Sequence, residues 1–333
     1  MEMESNNQAH EKKWKYEMKE EFRERMKKMM KSEGDFLAFE EIVHREPRNF
    51  IRCNTLKISP SELVERLSRK WDVEQPFEKF PEIILVKSEL APGELGNALE
   101  HLLGYYYIQE VSSMMSVIAL DPKPKERVLD LFASPGSKTT QIAARLENTG
   151  AIVANDLKIS RIKILVSNLE RCGVTNAIVT RKDAIALCAR LSKSGFKKFD
   201  KILLDVPCSG EGTLRSSPST FLNWNLKIVR KLSRQQKKFL AFALRCLRPG
   251  GTLVYSTCTH SPEENEEIVS FALENFPLRA ESFSLPLHCR APLSEWNDAR
   301  FHPDVEKAAC RIYPHDNDSE GFFVAKFRLA KEV

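Results

Sequence analysis

Residues 127–156, RVLDLFASPGSKTTQIAARLENTGAIVAND, contain an apolar run, a Pro-Gly turn, a helical stretch and a second apolar run that ends on an acid. RVLDLF reads as a strand, a helix starts at Ser137, and AIVAND is the next strand. The alternation continues with a helix from Lys158, NAIVT, a helix near 184–192, DKILLDV, a helix from Arg234 to Leu247, TLVYST and the helical PEENEEIVSFALENF. Such a pattern specifies a parallel, doubly wound α/β sheet with helices on both faces. Ser233 with Gln236 and Ser261 with Glu264 fit capping boxes, with Pro262 at a first helical position. Pro249, Gly250 and Gly251 read as the end of the helix before TLVYST. CRIYPHDNDSEGFFVAKFRL holds two strand-like runs around a polar turn, as an antiparallel hairpin closing the sheet edge would.

Open sheets of this kind bind ligands at the carboxyl ends of their strands. The first such end is the turn Phe132, Ala133, Ser134, Pro135, Gly136, Ser137, Lys138, in which backbone N–H groups can face an anionic or carboxylate-bearing ligand at a helix N-terminus. It is neither a P-loop nor a complete G-x-G-x-x-G. Asp156 ends the second strand, where an acid accepts hydrogen bonds from ribose hydroxyls, and Asp183 and Asp205 end the third and fourth. One such aspartate could simply cap the helix that follows it. Three on one edge beside a glycine turn favour a nucleoside ligand such as S-adenosylmethionine, which needs no metal and no phosphate clamp. Cys208 and Cys258 follow the apolar runs ILLD and GTLVYS and emerge at the same edge. A thiol there can attack an electrophilic ring carbon if it ionises more readily than an ordinary cysteine. Either cysteine alone would read as a buried core thiol; the pair in polar loops points to chemistry.

The 333 residues, 42% hydrophobic and 29% charged, have the make-up of a soluble globular protein with room for two domains. No apolar run is long enough to cross a bilayer, and MEMESNNQAHEKKWK lacks a signal-peptide core, so a cytoplasmic location is expected. The eight cysteines form no C-x-x-C pair, which argues against a zinc site and a disulfide framework. The net charge of +5 is only mildly basic and does not by itself indicate a polyanionic partner. Residues 11–31 read as a charged helix with Trp14, Met18, Phe22, Met26 and Met29 at helical spacing, broken by Gly34. It could lay this stripe on the main body or contribute to nucleic-acid binding. Residues 35–118 hold RNFIRCNTLKIS, a helix capped by Ser59 or Ser61, and EIILVK, a small α+β module of the kind that contacts RNA. A purely structural subdomain would have the same spacing. Tyr105, Tyr106 and Tyr107 read as core or interface residues. The expected division is a charged helix over 1–34, the module over 35–118 and a catalytic domain over 119–333.

DLFASPGSKTT, DVPCSGEGT, LSRQQKKFLAFALRCLRPGGTLVYSTCT, PEENEEIV and RIYPHDNDSEGFFVAKF, in that order, resemble the NOL1/NOP2/Sun family of RNA cytosine-5 methyltransferases. RCNTLK and YIQEVSS resemble that family's N-terminal signatures, so the likeness covers about residues 48–327. It implies a class I (Rossmann-like) S-adenosylmethionine-dependent methyltransferase domain preceded by a small α+β, RNA-recognition-like domain. This chain has Phe132 and Ser134 where the family usually shows Cys and Ala, and Ser137 where it usually has a second Gly.

The resemblance assigns Cys258 as the thiolate that adds to carbon-6 of cytosine and Cys208 as the group that allows its release. Asp205 would hydrogen-bond or protonate ring nitrogen-3, and Lys138 would reach toward the base. The turn from Phe132 to Lys138, with Asp156, Arg161 and Asp183, would hold the cofactor. RNA is the implied partner, with tRNA favoured over rRNA because the chain is compact; no metal or membrane is implied, and a monomer is assumed. The target base must be flipped or unpaired, and Arg215, Lys227, Arg230, Lys231 and Arg234 are expected either to meet phosphates or to form a solvated helical face. His260 is read as a neutral structural histidine rather than a group that tunes the thiolate. Two alternatives stand beside this reading: a DNA cytosine-5 methyltransferase using Cys208 as nucleophile, and a catalytically silent RNA-binding or assembly factor. An exocyclic-amine methyltransferase would carry Asp-Pro-Pro-aromatic where this chain has DVPC.

Overall fold

A computed structural model describes residues 17–195 and 198–333. Trp14 therefore lies outside the described residues. The first sheet is antiparallel and built from β1 (Asn49–Cys53), β2 (Val73–Glu74), β3 (Ile83–Val86) and β4 (Tyr106–Ile108), in the order β2-β3-β1-β4. Leu63, Leu67 and Trp71, from and just beyond the helix Pro60–Leu67, pack on Ile51, Ile84 and Tyr106. Ser59 caps that helix by accepting the Glu62 N–H at 3.2 Å.

The second sheet follows from the strand pattern of the C-terminal two thirds. β5 (Arg127–Asp130), β6 (Ala151–Asp156), β7 (Ala177–Arg181), β8 (Phe199–Asp205) and β9 (Leu247–Thr257) run parallel in the order β9-β8-β5-β6-β7. After β10 (Leu278–Ala280) and a short hairpin of β11 (Glu295–Trp296) and β12 (Ala299–Arg300) come β13 (Ala309–Ile312) and β14 (Phe322–Leu329). β14 lies antiparallel to β9, and β13 and β10 share its outer flank, so the expected hairpin does close this edge.

Both faces of the sheet are dry. Leu129, Ile202, Leu204, Leu253 and Tyr255 point to one face, under the helices Ala184–Lys193, Leu226–Leu244 and Glu266–Asn275. Val128, Leu203 and Val254 alternate to the other, under Val111–Leu120, Ser137–Arg145 and Ile159–Cys172. This two-residue alternation, apolar on both sides, is what a parallel sheet covered by helices requires; each fully buried aliphatic contributes about 1.5–3 kcal/mol. The helix Val111–Leu120 packs on this second sheet and crosses the 118/119 boundary drawn from sequence.

Several local expectations are corrected. The first described helix, Glu20–Met29, ends before Gly34; Ser32 caps a new helix, Glu33–Val43, that contains this glycine. Phe22, Met26 and Met29 lie against Leu214, Phe221, Trp224 and Val229, so the apolar stripe is packed on the catalytic body. The helix expected from Arg234 starts at Leu226, capped by Asn225, and ends at Leu244, which leaves Ser233 in mid-helix. Pro249, Gly250 and Gly251 lie within β9 instead of ending the helix. Ser261 caps nothing: its Oγ donates to Glu211 Oε1 at 2.5 Å, and the helix after it begins at Glu266, beyond Pro262. At Ser261 a tertiary partner, Glu211, outcompetes the local capping pattern.

Candidate active site

β5 and β8 are neighbours at the point where strand order reverses, and the loops leaving their carboxyl ends meet there. The β5 loop turns through a cis Ser134–Pro135 peptide and Gly136, whose φ of +108° favours glycine. A Cβ on Gly136 would lie 3.2 Å from Leu165 Cδ1 and 3.4 Å from Asn168 Cβ. Asp130, which sequence reasoning passed over, holds this turn from beneath by accepting the Thr139 hydroxyl at 2.6 Å; burial pushes its carboxyl up to about 6. Pro135 O accepts from Asn168 Nδ2 at 2.9 Å and from Tyr107 OH at 3.4 Å, and Phe132 leans edge-on against Phe239. Arg52 of β1, fully buried, donates to Ser137 O at 2.7 Å and Thr140 Oγ1 at 2.8 Å, tying the N-terminal sheet to the first turn of the helix.

Asp156 ends β6 with Oδ2 3.1 Å from Arg161 Nε and Oδ1 accepting the Lys158 N–H, while Arg161 also donates to Ser134 O at 2.6 Å. Arg161 thus clamps the acid to the glycine turn. Asp183 is exposed and caps the next helix through the Ala186 N–H. Ser134 Oγ is buried with no partner. An acid at the end of β6, a glycine turn at the end of β5 and an unmatched buried hydroxyl between them fit a nucleoside-bearing cofactor.

Lys138, in the first turn of its helix, crosses to β8: Nζ is 2.8 Å from Asp205 Oδ2, donates to Ser113 Oγ at 2.8 Å, and stands 5.4 Å from the centre of the Phe322 ring. Asp205 Oδ1 accepts from Ser256 Oγ at 2.8 Å. Beyond them Cys208 Sγ lies 3.2 Å from Cys258 Sγ, both thiols free and partly exposed. The Cys258 hydrogen bond and burial hold the Cys208 thiol well above its ordinary range. Thus loops from β5, β8 and β9 bring Lys138, Asp205, Cys208 and Cys258 together.

The floor beneath the thiols is tightly specified. Gly212 N–H donates to Cys258 O at 2.9 Å and its carbonyl accepts from Gly321 N–H; a Cβ at Gly212 would sit 2.2 Å from Gly321 O. Glu264 and Gln236, read from sequence as helix-cap partners, point instead at the Cys208 loop. Glu264 accepts the Ser209 N–H at 3.1 Å and Gln236 Nε2 at 2.7 Å, while Gln236 also donates to Pro207 O at 2.9 Å. Burial pushes the Glu264 carboxyl up to about 8. His260 stacks on Tyr313 with centroids 5.1 Å apart, and burial lowers it to about 3, so it is a neutral packing residue.

Arg215 does not face the opening. It is buried, paired with Asp318 at 2.6 Å and donating to the carbonyls of Arg45, Glu46 and Ser319, because three carbonyls and a carboxylate from distant segments converge on it. Lys227, Arg230, Lys231 and Arg234 are exposed and make no ion pair among the described residues. Two grooves of about 600 and 280 Å³ open near Asp121 and Arg145, at the helix ends remote from the thiols. No group of three metal-ligating side chains occurs among the described residues, and no described helix is long and apolar enough to cross a membrane.

Residues 117–328 match the family model of 16S rRNA methyltransferase RsmB/F, and residues 18–111 match that of the N-terminal domain of 16S rRNA methyltransferase RsmF. The tRNA (cytosine(49)-C(5))-methyltransferase of Pyrococcus abyssi is 41% identical over 314 residues, covering 93% of this chain and 98% of that one. The ribosomal RNA small subunit methyltransferase F of Pectobacterium carotovorum is 40% identical over 318 residues, covering 94% of this chain; the chain spans only 63% of that enzyme's length. Among solved structures, a methyltransferase homolog protein from Pyrococcus horikoshii superposes with a TM-score of 0.77 at 33% identity, covering 88% of this chain and 90% of that one. NSun6 from the same organism, solved with SFG, superposes at 0.80 with 26% identity, covering 94% and 99%. With family models matched in sequence over both sheets and full-length relatives matched in sequence and in fold, the chain belongs to the NOL1/NOP2/Sun family of S-adenosylmethionine-dependent RNA cytosine-5 methyltransferases.

Proposed function

We propose that this enzyme methylates carbon-5 of a cytosine in tRNA through a covalent bond between Cys258 and carbon-6 of the base. The observation that carries this reading is the convergence of two free thiols 3.2 Å apart with a Lys138–Asp205 ion pair at 2.8 Å. Carbon-5 of an aromatic cytosine is a weak nucleophile, and a thiolate added at carbon-6 turns it into an enamine carbon. The Lys138–Asp205 pair holds a proton for ring nitrogen-3, which gains electron density as the sulfur adds. S-adenosylmethionine supplies the electrophilic methyl group. Asp156, Asp183, Arg161 and the turn from Phe132 to Lys138 bind and orient it.

Release needs a second group. The carbon-5 proton passes to Cys208, directly or through water; its bonding pair restores the carbon-5 to carbon-6 double bond, and Cys258 leaves as thiolate. The Cys258 hydrogen bond and burial hold the Cys208 thiol above its ordinary range, so Cys208 gives its own proton to water before its thiolate takes the proton from carbon-5.

A tRNA substrate is favoured because the Pyrococcus abyssi tRNA enzyme is matched at 41% identity over 98% of its own length. The first sheet and its helix serve as the RNA-recognising module, and the second sheet, with the helix Val111–Leu120 packed on it, serves as the catalytic domain of a cytoplasmic enzyme. Single-substitution variants incubated with tRNA test the division of labour. Cys208→Ala should transfer the methyl group and then remain linked to the RNA on a denaturing gel, and Cys258→Ala should form no link. The reverse pattern would make Cys208 the nucleophile, and no link or methyl transfer with any RNA would leave a silent binding factor.

A further inference from the structure

Cys208 sits in a short loop between two sheet-anchored points, the Val206 N–H on Ser256 O at 3.1 Å and the Gly212 N–H on Cys258 O at 2.9 Å. Between those points its flanks are held by side chains. The Glu264 carboxylate accepts the Ser209 N–H at 3.1 and 3.3 Å, one oxygen each, on the C-terminal side of Cys208. Gln236 bridges from that carboxylate, at 2.7 Å, to Pro207 O, at 2.9 Å, on the N-terminal side. The Glu264 carbonyl in turn accepts the Tyr255 hydroxyl at 2.6 Å, and Tyr255 belongs to β9, the strand that delivers Cys258. A continuous hydrogen-bonded path therefore runs from the strand carrying one thiol to both neighbours of the other. Glu264, Gln236 and Tyr255 are fully buried, so the path is shielded from water up to its end at the half-exposed Cys208 loop.

We infer that Glu264, with Gln236, is a positioning residue for Cys208, fixing that sulfur where it serves the release step after methyl transfer. The inference rests on the reading that Cys208 carries out release. Glu264 does not touch the base in this account; it acts through the peptide groups on either side of Cys208. Oε2 accepts from both the Ser209 N–H and Gln236 Nε2, and Oε1 lies 3.3 Å from the same Ser209 N–H. In the ionised form, reached above about pH 8, both oxygens accept, whereas an amide at 264 turns its NH₂ against the Ser209 N–H. The Cys208 loop would shift, while Cys258, held by β9 and Gly212, would stay in place.

Glu264→Gln tests this in single-turnover and multiple-turnover reactions with radiolabelled methyl donor and a tRNA transcript. The expected result is methyl transfer at close to the wild-type single-turnover rate, a protein–RNA link that persists on a denaturing gel, and steady-state turnover reduced by about ten- to a hundredfold, as a displacement of around 1 Å produces. A purely structural role would not separate transfer from release. Gln236→Ala should show the same separation more weakly, and it carries the test if Glu264→Gln does not fold. Wild-type turnover without a persistent link, or equal loss of methyl transfer and release, overturns the inference. Cys208→Ala is run in parallel: if it fails to trap RNA, the underlying reading is at fault; if it traps RNA and Glu264→Gln does not, only the role of Glu264 falls.

Discussion

Cys208 Sγ lies 3.2 Å from Cys258 Sγ, although the two residues are 50 positions apart in the chain. Their strands, β8 and β9, are parallel neighbours paired up to Asp205 and Ser256, so each chain reaches its cysteine two or three residues after the last sheet bond. Short loops of two and three residues leaving adjacent strands bring the sulfurs into contact.

That contact makes the pair oxidisable. Diamide, which takes up two electrons and two protons to become the hydrazine, should convert the two thiols to a disulfide and abolish methyl transfer, and dithiothreitol should restore it. Peptide mapping by mass spectrometry checks the bond: loss of activity without a peptide linking Cys208 and Cys258 would assign the inactivation elsewhere.

Asp156→Ala should weaken S-adenosylmethionine binding without unfolding the protein, since its side chain at the end of β6 holds only the half-exposed Arg161 and the Lys158 N–H by hydrogen bonds or ion pairing. Losing charge-assisted hydrogen bonds to a ribose should cost roughly 1.5–3 kcal/mol. Calorimetric titration giving wild-type affinity would remove Asp156 from the cofactor site.

Two groups of basic residues should behave differently. Arg215→Ala takes a buried guanidinium away from the Arg45, Glu46 and Ser319 carbonyls, while Asp318, about a third exposed, keeps its pair with Arg48. It should therefore lower unfolding stability by roughly 1–3 kcal/mol and leave the salt dependence of RNA binding unchanged. Neutralising Lys227, Arg230, Lys231 and Arg234 should leave stability nearly intact. For every phosphate these side chains no longer neutralise, the log–log salt slope should flatten by about 0.7 on single-stranded RNA. Filter binding across a salt series, beside urea unfolding, separates the two effects, and an unchanged slope in the fourfold variant would remove that helix from the RNA path.

His260 should make the fold acid-sensitive. Its folded-state value is about 3, below the unfolded value of 6.5, so its contribution is fully present above pH 6.5 and is lost as the pH falls toward 3. The slope is about 1.4 kcal/mol per pH unit. Glu264, Glu320 and Asp130, raised to about 8, 7 and 6, act with the opposite sign as the pH falls through those values, so the comparison must be internal. Unfolding free energies measured from pH 7 to 4.5 should fall less steeply in His260→Asn than in wild type. Parallel curves would mean that the ring takes up its proton without unfolding.

Strand alternation, the glycine turn and the two cysteine loops were legible in the chain because each depends on short-range pattern: apolar runs of strand length, a residue tolerating positive φ, and polar loops directly after strands. Those features suffice for a parallel sheet and for the edge on which Asp156, Asp205, Cys208 and Cys258 would gather. Tertiary structure alone decided which polar side chains cap helices and which serve the site. Ser-x-x-Gln at 233–236 and Ser-x-x-Glu at 261–264 satisfy a local capping pattern, yet the buried Gln236 and Glu264 turn to the Cys208 loop, where they find the Pro207 carbonyl and the Ser209 N–H. Arg215 looked like a phosphate ligand beside the DVPCSG loop, but carbonyls from two distant segments converge on it. A buried polar group must find a partner wherever the fold brings one, and which groups become buried together depends on packing between segments far apart in the chain.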